Sequence, residues 1–279
     1  MGSLSNYGED SFLGHLLVAT VTSPTNVYLA LCTADPGETG TGATITEVAD
    51  SNNYARTAIS FGTATSRRVT QDADCTFPTA SGAWGTVTHW AILDGNTHGA
   101  GNVLAYGAFS SSFAPVNGNT PTVASGQVYV QIDASSGAGL SDFAVHELLD
   151  HFFNNAAFAT TAGSTFIALS TTVLDDADVD EGDFTEATGT GYARVEVNET
   201  AGSSPKWTAI SGGATSNDAA IDFGTAGASW GTIVACAIMT SASGAGNVLG
   251  FDSANIVDQA VSSGDSVSFP TGDFDISLS

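Results

Sequence analysis

The sequence contains an internal duplication, and this feature limits the possible folds more than any other. The hexapeptide GAGNVL occurs at Gly99–Leu104 and again at Gly244–Leu249. When residues 140–279 are slid against residues 4–133, further matches appear in the same order. They are Tyr28–Thr33 with Phe166–Thr171, Tyr54-Ala55-Arg56 with Tyr192-Ala193-Arg194, Trp84–Val87 with Trp230–Ile233, and Ser125-Gly126 with Ser263-Gly264. Two long copies indicate tandem domains and not a solenoid of short repeats.

The duplication predicts where the domains begin and end. We expect a first domain at 1–134, a flexible linker at 135–139 with the sequence SSGAG, and a second domain at 140–279. The offset between matched residues starts at 136, reaches about 146 in the middle and returns to 138 at the closing strands, as loop insertions would produce. GAGNVL is interpreted as a hairpin turn present in both copies, with a ligand-binding loop as the alternative.

The hydrophobic pattern predicts a helix at the start of each half and strands after it. Apolar residues recur with the spacing of one helix face in both halves. They are Phe12, Leu13, Leu16 and Leu17, and Val145, Leu148, Leu149, Phe152 and Phe153. Ser5 or Asn6 and Ser141 or Asp142 can cap the two helices. Short alternating or continuous apolar runs follow, so we expect a mainly β protein of two tandem antiparallel β-sandwich domains, each with an N-terminal α-helix.

The charge composition argues against nucleic acid and membranes as partners. Five Lys and Arg residues stand against 29 Asp and Glu residues, which gives a net charge of −24. Binding to phosphate backbones or anionic lipid needs clustered basic residues. No secretion signal is visible and no apolar stretch approaches the roughly 20 residues of a membrane span. We therefore expect synthesis as a soluble chain in the cytoplasm. The cysteines lack metal-ligand spacing, and we expect buried thiols.

Six residues at equivalent positions of the two halves are candidates for a structural or interaction role. Arg56 and Arg194 are two of only five basic residues, and we expect each to pair with a nearby carboxylate, or else to contact a partner protein. Their companions in this role are His15, His151, Trp84 and Trp230. We expect the histidines at a contact between domains or subunits and the tryptophans in the cores.

The densest acidic cluster is a weak candidate for a metal site. Asp176, Asp178 and Asp180 alternate like the start of an EF-hand loop, but Glu181 and Ala187 stand where that loop needs Gly and Glu. We expect a solvated acidic loop, with a weak Ca²⁺ or Mg²⁺ site as the alternative. No nucleotide-binding, nucleophile or zinc motif is present, so we predict neither a catalytic site nor a cofactor.

The matched segments resemble a family of tailed-bacteriophage virion proteins that are labelled tail-fibre or capsid-decoration proteins. The family's motifs run from an L-S-D helix ending in L-L-D-H, through an L-x-L-S-T strand, G-Y-A-R and W-G-T-V, to a closing S-G-D-x-x-x-F. The matches fall on Leu140–His151, Ala168–Thr171, Gly191–Arg194, Phe223–Ile233 and Ser263–Phe269, and on Leu4–His15, Tyr28–Thr33, Asn53–Arg56, Phe77–His89 and Ser125–Val130. Together they cover nearly the whole chain.

The resemblance implies a virion structural protein without an active site, made in the host cytoplasm. Our main expectation is a capsid decoration (cement) protein on the capsid exterior, which docks on the major capsid protein and stabilises the head. We expect it to assemble as a homo-oligomer, with a trimer as the expected form. The alternative is a tail-fibre or tail-associated adhesin component, although coiled-coil heptads are missing. The second alternative is a carbohydrate-binding module, for which the tryptophans would have to be exposed.

Overall fold

A computed structural model describes residues 2–18, 21–134, 137–158, 164–199 and 202–278. Within them, the helices are α1 (Asn6–Leu13), which a π-helical segment at Gly14–Val18 continues, and α2 (Asp142–Asn154). The strands of the first half are β1 (Gly2–Leu4), β2 (Val27–Cys32), β3 (Thr57–Ile59), β4 (Arg68–Thr70), β5 (Cys75–Thr76), β6 (Val87–Leu93), β7 (Val103–Phe113), β8 (Thr122–Val123) and β9 (Tyr129–Gln131). Those of the second half are β10 (Ala138–Leu140), β11 (Ser164–Ser170), β12 (Val195–Asn198), β13 (Ala214–Ser216), β14 (Ile221–Thr225), β15 (Gly231–Ile233), β16 (Ala235–Met239), β17 (Val248–Asp252), β18 (Gln259–Val261), β19 (Ser266–Phe269) and β20 (Asp275–Ser277).

The mainly β fold in two tandem units, each with a helix near its start, is confirmed. The large sheet of the first half has the order β3-β2-β6-β7-β1-β9-β4, and that of the second half has the order β10-β17-β16-β11-β12. Two-stranded sheets complete the halves: β5-β8 in the first, and β13-β20, β14-β19 and β15-β18 in the second. Pairing between these strands is antiparallel apart from one parallel contact, Gly2 of β1 with Val130 of β9. A short strand, β1 or β10, precedes each helix.

Each helix begins at a serine that joins it to the large sheet. The Ser5 hydroxyl accepts a hydrogen bond from Gly8 N at 3.1 Å, and the Ser141 hydroxyl accepts one from Ala144 N at 3.1 Å. Each hydroxyl also donates to the carbonyl of the valine that begins β7 or β17. The caps therefore satisfy a helix N–H and fix the helix to a strand at the same time.

The predicted linker is partly a strand. Residues 135–136 lie outside the described residues, but Ala138 and Gly139 belong to β10, which pairs with β17 in the register Ala138–Asp252 and Leu140–Gly250. The glycines and small residues that suggest flexibility also fit an edge strand, because the hydrogen bonds of a strand need no side chain.

The closing strands correct the predicted alignment of the two halves. Gly126 N donates to Gln71 O at 3.0 Å, and Gly272 N donates to Asn217 O at 3.1 Å. Ser125-Gly126 is therefore equivalent to Thr271-Gly272, at an offset of 272 − 126 = 146. The match of Ser125-Gly126 to Ser263-Gly264, at an offset of 138, is wrong.

The true counterpart of Ser263-Gly264 is Asn117-Gly118. Gly264 N donates to Ala226 O at 2.7 Å, as Gly118 N donates to Ala80 O at 2.8 Å. The closing S-G-D motif therefore corresponds to Asn-Gly-Asn in the first half. The error has a physical source, since a slip of eight residues keeps every side chain of an alternating strand on the same face.

The two halves share one hydrophobic core, which the two helices join. A single cluster of buried side chains includes residues from both halves. At its centre, the rings of Phe12 and Phe152 stack with centroids 4.7 Å apart, and Phe153 packs edge-on against Phe61 at 5.4 Å. A smaller cluster covers the opposite face of each large sheet.

An approximate two-fold axis relates the halves. Asp10 of α1 accepts a hydrogen bond from Gly213 N at 2.7 Å, and His146 Nε2 of α2 accepts one from Arg67 N at 2.9 Å. These are equivalent contacts, because 146 − 10 = 136 and 213 − 67 = 146 are the offsets of the helices and of the following strands. Helix α1 thus docks on the loop before β13 of the second half, and α2 docks on the loop before β4 of the first half.

Candidate functional site

The Tyr-Ala-Arg motif of the first half forms a buried charged cluster. Arg56 binds Glu47 with both ends of its guanidinium: Nε donates to Oε1 at 2.9 Å and Nη2 to Oε2 at 2.7 Å. Tyr54 donates to the same carboxylate at 2.9 Å and accepts from Leu31 N at 3.0 Å. Burial, with Glu47 beside it, raises the pKa of the Tyr54 hydroxyl. A fork-to-carboxylate pair of this kind fixes direction as well as charge.

The second half repeats this cluster in a slightly more open form. Arg194 donates to the two oxygens of Glu186 at 3.0 and 2.8 Å, and Tyr192 donates to Glu186 at 2.8 Å. Glu181 lies 3.4 Å from Arg194 as a second carboxylate. The two arginines therefore each lie beside a carboxylate of their own half.

The arginines also hold the duplicated GAGNVL turns. Arg56 Nη1 donates to Gly95 O at 2.9 Å and to Ala100 O at 2.8 Å. Arg194 Nη1 donates to Ser241 O at 2.9 Å, and the Ser241 hydroxyl donates to Ala245 O at 3.1 Å. Each turn joins two neighbouring strands of its large sheet, β6 to β7 and β16 to β17. The two repeated motifs, Tyr-Ala-Arg and GAGNVL, are thus one structural unit in each half.

Both candidate tryptophans are internal. Trp84 is 5% exposed and Trp230 is 2% exposed. The Trp84 indole N–H donates to Asn52 O at 2.9 Å, and that of Trp230 donates to Thr190 O at 3.2 Å. Trp207 is also fully buried. These three rings do not offer the exposed aromatic platform that the carbohydrate-binding alternative requires.

The candidate histidines lie on the approximate two-fold axis. The rings of His15 and His151 stack with centroids 4.0 Å apart. His151 Nδ1 lies 2.8 Å from Ala156 O, and its Nε2 lies 3.1 Å from Val21 O. His15 Nδ1 lies 3.0 Å from Val21 O. Burial and the neighbouring His151 lower the pKa of His15.

A buried carboxylate accompanies α1 at its contact with the second half. Glu9 is 5% exposed, and one carboxylate oxygen lies 2.7 Å from the position that a Cβ at Gly213 would take. Burial, with the nearby Glu38 and Asp10, raises the pKa of Glu9 to about 7. Gly213 also has a φ of +69°, so both space and backbone favour glycine there.

Arg67 binds the connection between the halves, a role that the sequence did not indicate. Its side chain is buried and donates to Ile132 O, Asp133 O and Leu140 O, each at 3.1 Å. It also donates to the Asp142 carboxylate at 3.0 Å. Arg67 also has a positive φ of 58°, which the sequence pattern does not indicate.

The three candidate aspartates do not converge. Asp178 and Asp180 each accept a hydrogen bond from a backbone N–H of their own loop, at 2.8 and 2.7 Å. Asp176 lies 3.8 Å from the guanidinium of Arg67. In the part of the chain that the structure describes, no three His, Cys, Asp or Glu side chains are grouped so that they could hold a metal ion.

A cavity of about 550 Å³ opens in the second half. It lies between β10, β16 and β17 on one side and the β19–β20 segment on the other. Its apolar lining includes Leu140, Ile238, Phe251, Phe274 and Ile276, and its carboxylates are Asp252, Asp273 and Asp275. The motifs repeated in the sequence do not indicate this site. The sequence feature that coincides with it is the difference between Trp90 and Cys236, which occupy equivalent positions of the two halves.

Comparisons with known proteins agree with the internal duplication. A sequence model of the family described as "Podophage GP4 fiber I protein gp80" matches residues 3–131 and, a second time, residues 139–277. The two matches end 277 − 131 = 146 residues apart, which is the offset that the closing hydrogen bonds give. No curated protein matches the chain. Among the described residues, none of the helices has the length and apolar character to span a membrane.

Proposed function

The chain belongs to the family of the podophage GP4 fiber I protein gp80, and from this membership we propose that it is a fibre component of a phage tail. The family match covers both halves, and it carries the proposal. A phage virion structural protein is the part of the expectation that the family supports directly. Attachment to the tail is the finer part that we propose.

The family description favours the fibre over the capsid decoration protein that the sequence first suggested. Decoration would place the protein on the capsid exterior, with the major capsid protein as its partner and a trimer as its form. Nothing in the family description names a capsid. Decoration therefore stays the alternative, and the homo-oligomer stays a prediction for either location.

The internal contacts fit a protein that acts by assembly, and we propose that it is not an enzyme. The repeated arginines, tyrosines and tryptophans all bind groups of their own half. The three cysteines are buried. Burial raises the pKa of Cys75 to about 11 and that of Cys32 to about 12, so these thiols stay protonated and are poor nucleophiles.

Labelling of intact virions tests the location. A gold-conjugated antibody raised against the purified protein is applied to virions and to virions grown without a functional gene for it, and both are viewed by electron microscopy. We expect gold on the tail of the complete virions only. Gold spread over the head of the complete virions would support decoration. The absence of gold from both the head and the tail of the complete virions would overturn the virion assignment. Native mass spectrometry of the purified protein then gives the oligomeric state, for which we expect three copies.

A further inference from the structure

The two halves differ at several core positions, and one of these differences lies at the cavity of the second half. Trp90 pairs with Leu31 across β6 and β2, and Cys236 pairs with Leu169 across β16 and β11. The tryptophan and the cysteine are therefore equivalent, at 236 − 90 = 146. In the first half the indole fills the space beneath β1, because a Cβ on Gly2 would lie only 2.3 Å from it. The cysteine side chain is far too short to fill the same space.

Next to the cavity, the large sheet of the first half contains a strand pair that the described part of the second half lacks. In the first half Gly2 of β1 meets Val130 of β9, and the sheet continues to β4. Their counterparts are Ala138 of β10 and Ile276 of β20. Among the described residues, β10 pairs only with β17 and β20 only with β13. Two strand edges without a further strand partner among the described residues therefore face the mouth of the cavity.

The rim of the cavity carries charge that the first half lacks. Asp252, Asp273 and Asp275 line the opening. Their counterparts, at offsets of 145, 146 and 146, are Gly107, Gln127 and Tyr129, none of which is acidic. Asp273 and Asp275 are exposed to solvent. The second copy thus combines a cavity with a partly apolar lining, two strand edges and an anionic rim, and such a rim attracts a cationic group.

We propose that this opening binds an extended segment of a partner protein, which inserts an aromatic side chain of the size of tryptophan into the cavity and sets a basic residue against the carboxylates. The first half indicates the kind of side chain, since its own indole occupies the equivalent space. A cavity of about 550 Å³ lies within the range of ligand sites. Addition of a strand to the exposed edges supplies main-chain hydrogen bonds, and the aromatic pocket supplies selectivity. The site goes beyond the fibre assignment and does not depend on it.

Calorimetric titration of the full chain with short peptides tests the site. The probe is an acetylated and amidated Thr-Lys-Trp-Lys-Thr peptide, and the comparisons are the same peptide with Ala in place of Trp, and tryptamine. We expect the tryptophan peptide to bind, and the alanine peptide to bind at least about tenfold more weakly, which corresponds to about 1.4 kcal/mol. Tryptamine has the indole and the charge but no strand, so we expect it to bind more weakly than the peptide. Equal binding of tryptamine would overturn the partner segment in favour of a small ligand.

Three variants locate the binding. Cys236→Trp fills the cavity as the first half does, and we expect it to abolish binding. The double variant Asp273→Asn/Asp275→Asn changes only exposed side chains, so it tests the rim even if the core variant fails to fold. We expect it to weaken binding about threefold to tenfold and to lower its salt dependence. Asp50→Asn, an exposed carboxylate of the first half, is the matched control and should bind as the unaltered protein does. Absence of peptide binding, or binding that the rim variant leaves unchanged, would overturn the proposal.

Discussion

At the residue scale, the two buried arginines occupy equivalent sites that differ in their access to water. The side chains of Arg56 and Glu47 are 0% and 2% exposed, whereas those of Arg194 and Glu186 are 1% and 17% exposed. Removing the partner of a carboxylate destabilises the protein more when less water can reach that carboxylate. The same substitution should therefore have a different cost in the two halves.

We predict that Arg56→Ala lowers the free energy of unfolding by about 3–5 kcal/mol, because it leaves a buried charge without its partner. Arg194→Ala should cost less, since Glu186 is partly solvated. The control is Arg68→Ala, which removes a stacking contact 4.2 Å above the Tyr129 ring and should cost about 1 kcal/mol or less. Urea unfolding measures all three. Equal losses at Arg56 and Arg194 would contradict the role of solvent access.

The stacked histidines predict a loss of stability on acidification. The pKa of His15 in the folded protein lies below its ordinary value of 6.5. As the pH falls below about 6.5, the unfolded chain takes up the proton first, so stability that is present above this pH is lost below it. His15→Gln cannot take up this proton. Its unfolding free energy should fall less steeply between pH 6.5 and pH 5, by up to about 1.4 kcal/mol per pH unit. Parallel curves for the two proteins would refute this.

Glu9 predicts the opposite dependence, and a separate variant isolates it. Its pKa is about 7 in the folded protein against 4.5 ordinarily, so its contribution is full below pH 4.5 and is lost as the pH rises through 7. Glu9→Gln should therefore melt at a higher temperature than the unaltered protein at pH 8, with a smaller difference at pH 5. A constant difference at both pH values would show that the raised pKa is not the cause.

At the scale of the elements, the helix caps form a connection that can be tested by itself. Each cap serine serves a helix N–H and a strand carbonyl, and both serines are fully buried. We predict that Ser141→Ala costs about 2 kcal/mol, the sum of a lost cap and a buried carbonyl without its donor. Ser110→Ala, on an exposed part of β7, is the control and should change stability by less than about 0.5 kcal/mol. Thermal unfolding compares them, and equal melting temperatures would contradict the double role.

The sequence predicted the elements whose pattern is long. β6, at Val87–Leu93, is one of the strands expected from the apolar runs, and the caps at Ser5 and Ser141 follow from helical spacing and cap chemistry. β1 and β10 were missed because three residues carry no readable period. The closing alignment failed because alternation with a period of two cannot distinguish slips by an even number of residues.

The candidate site was predicted only in part, for a related reason. The repeated motifs indicated Arg56, Trp84 and their counterparts, whose side chains are buried in the fold. The cavity lies instead at a residue that differs between the halves, Trp90 in the first and Cys236 in the second, and beside two strands, β10 and β20, that do not pair with each other. Which strand edges meet is a long-range property, and no local pattern in the sequence encodes it.

At the scale of the whole molecule, the two halves form one packed unit. The helices exchange contacts with the opposite half, and one core cluster runs through both. We predict that segments 1–134 and 137–279, expressed separately, self-associate or unfold because the faces around Phe12 and Phe152 lose their cover. Expressed together, they should purify as a pair. Size-exclusion chromatography and thermal melting measure this. Two monomeric halves that melt like the whole chain would contradict the prediction.

The stacked histidines at the approximate two-fold axis have a consequence for the free virion. Two separate subunits that met in this way would come apart when diluted, because mass action governs their association. Here the peptide chain keeps the two surfaces at a high effective concentration, whatever the number of particles per millilitre. A particle shed into a large volume of water therefore keeps this pairing intact.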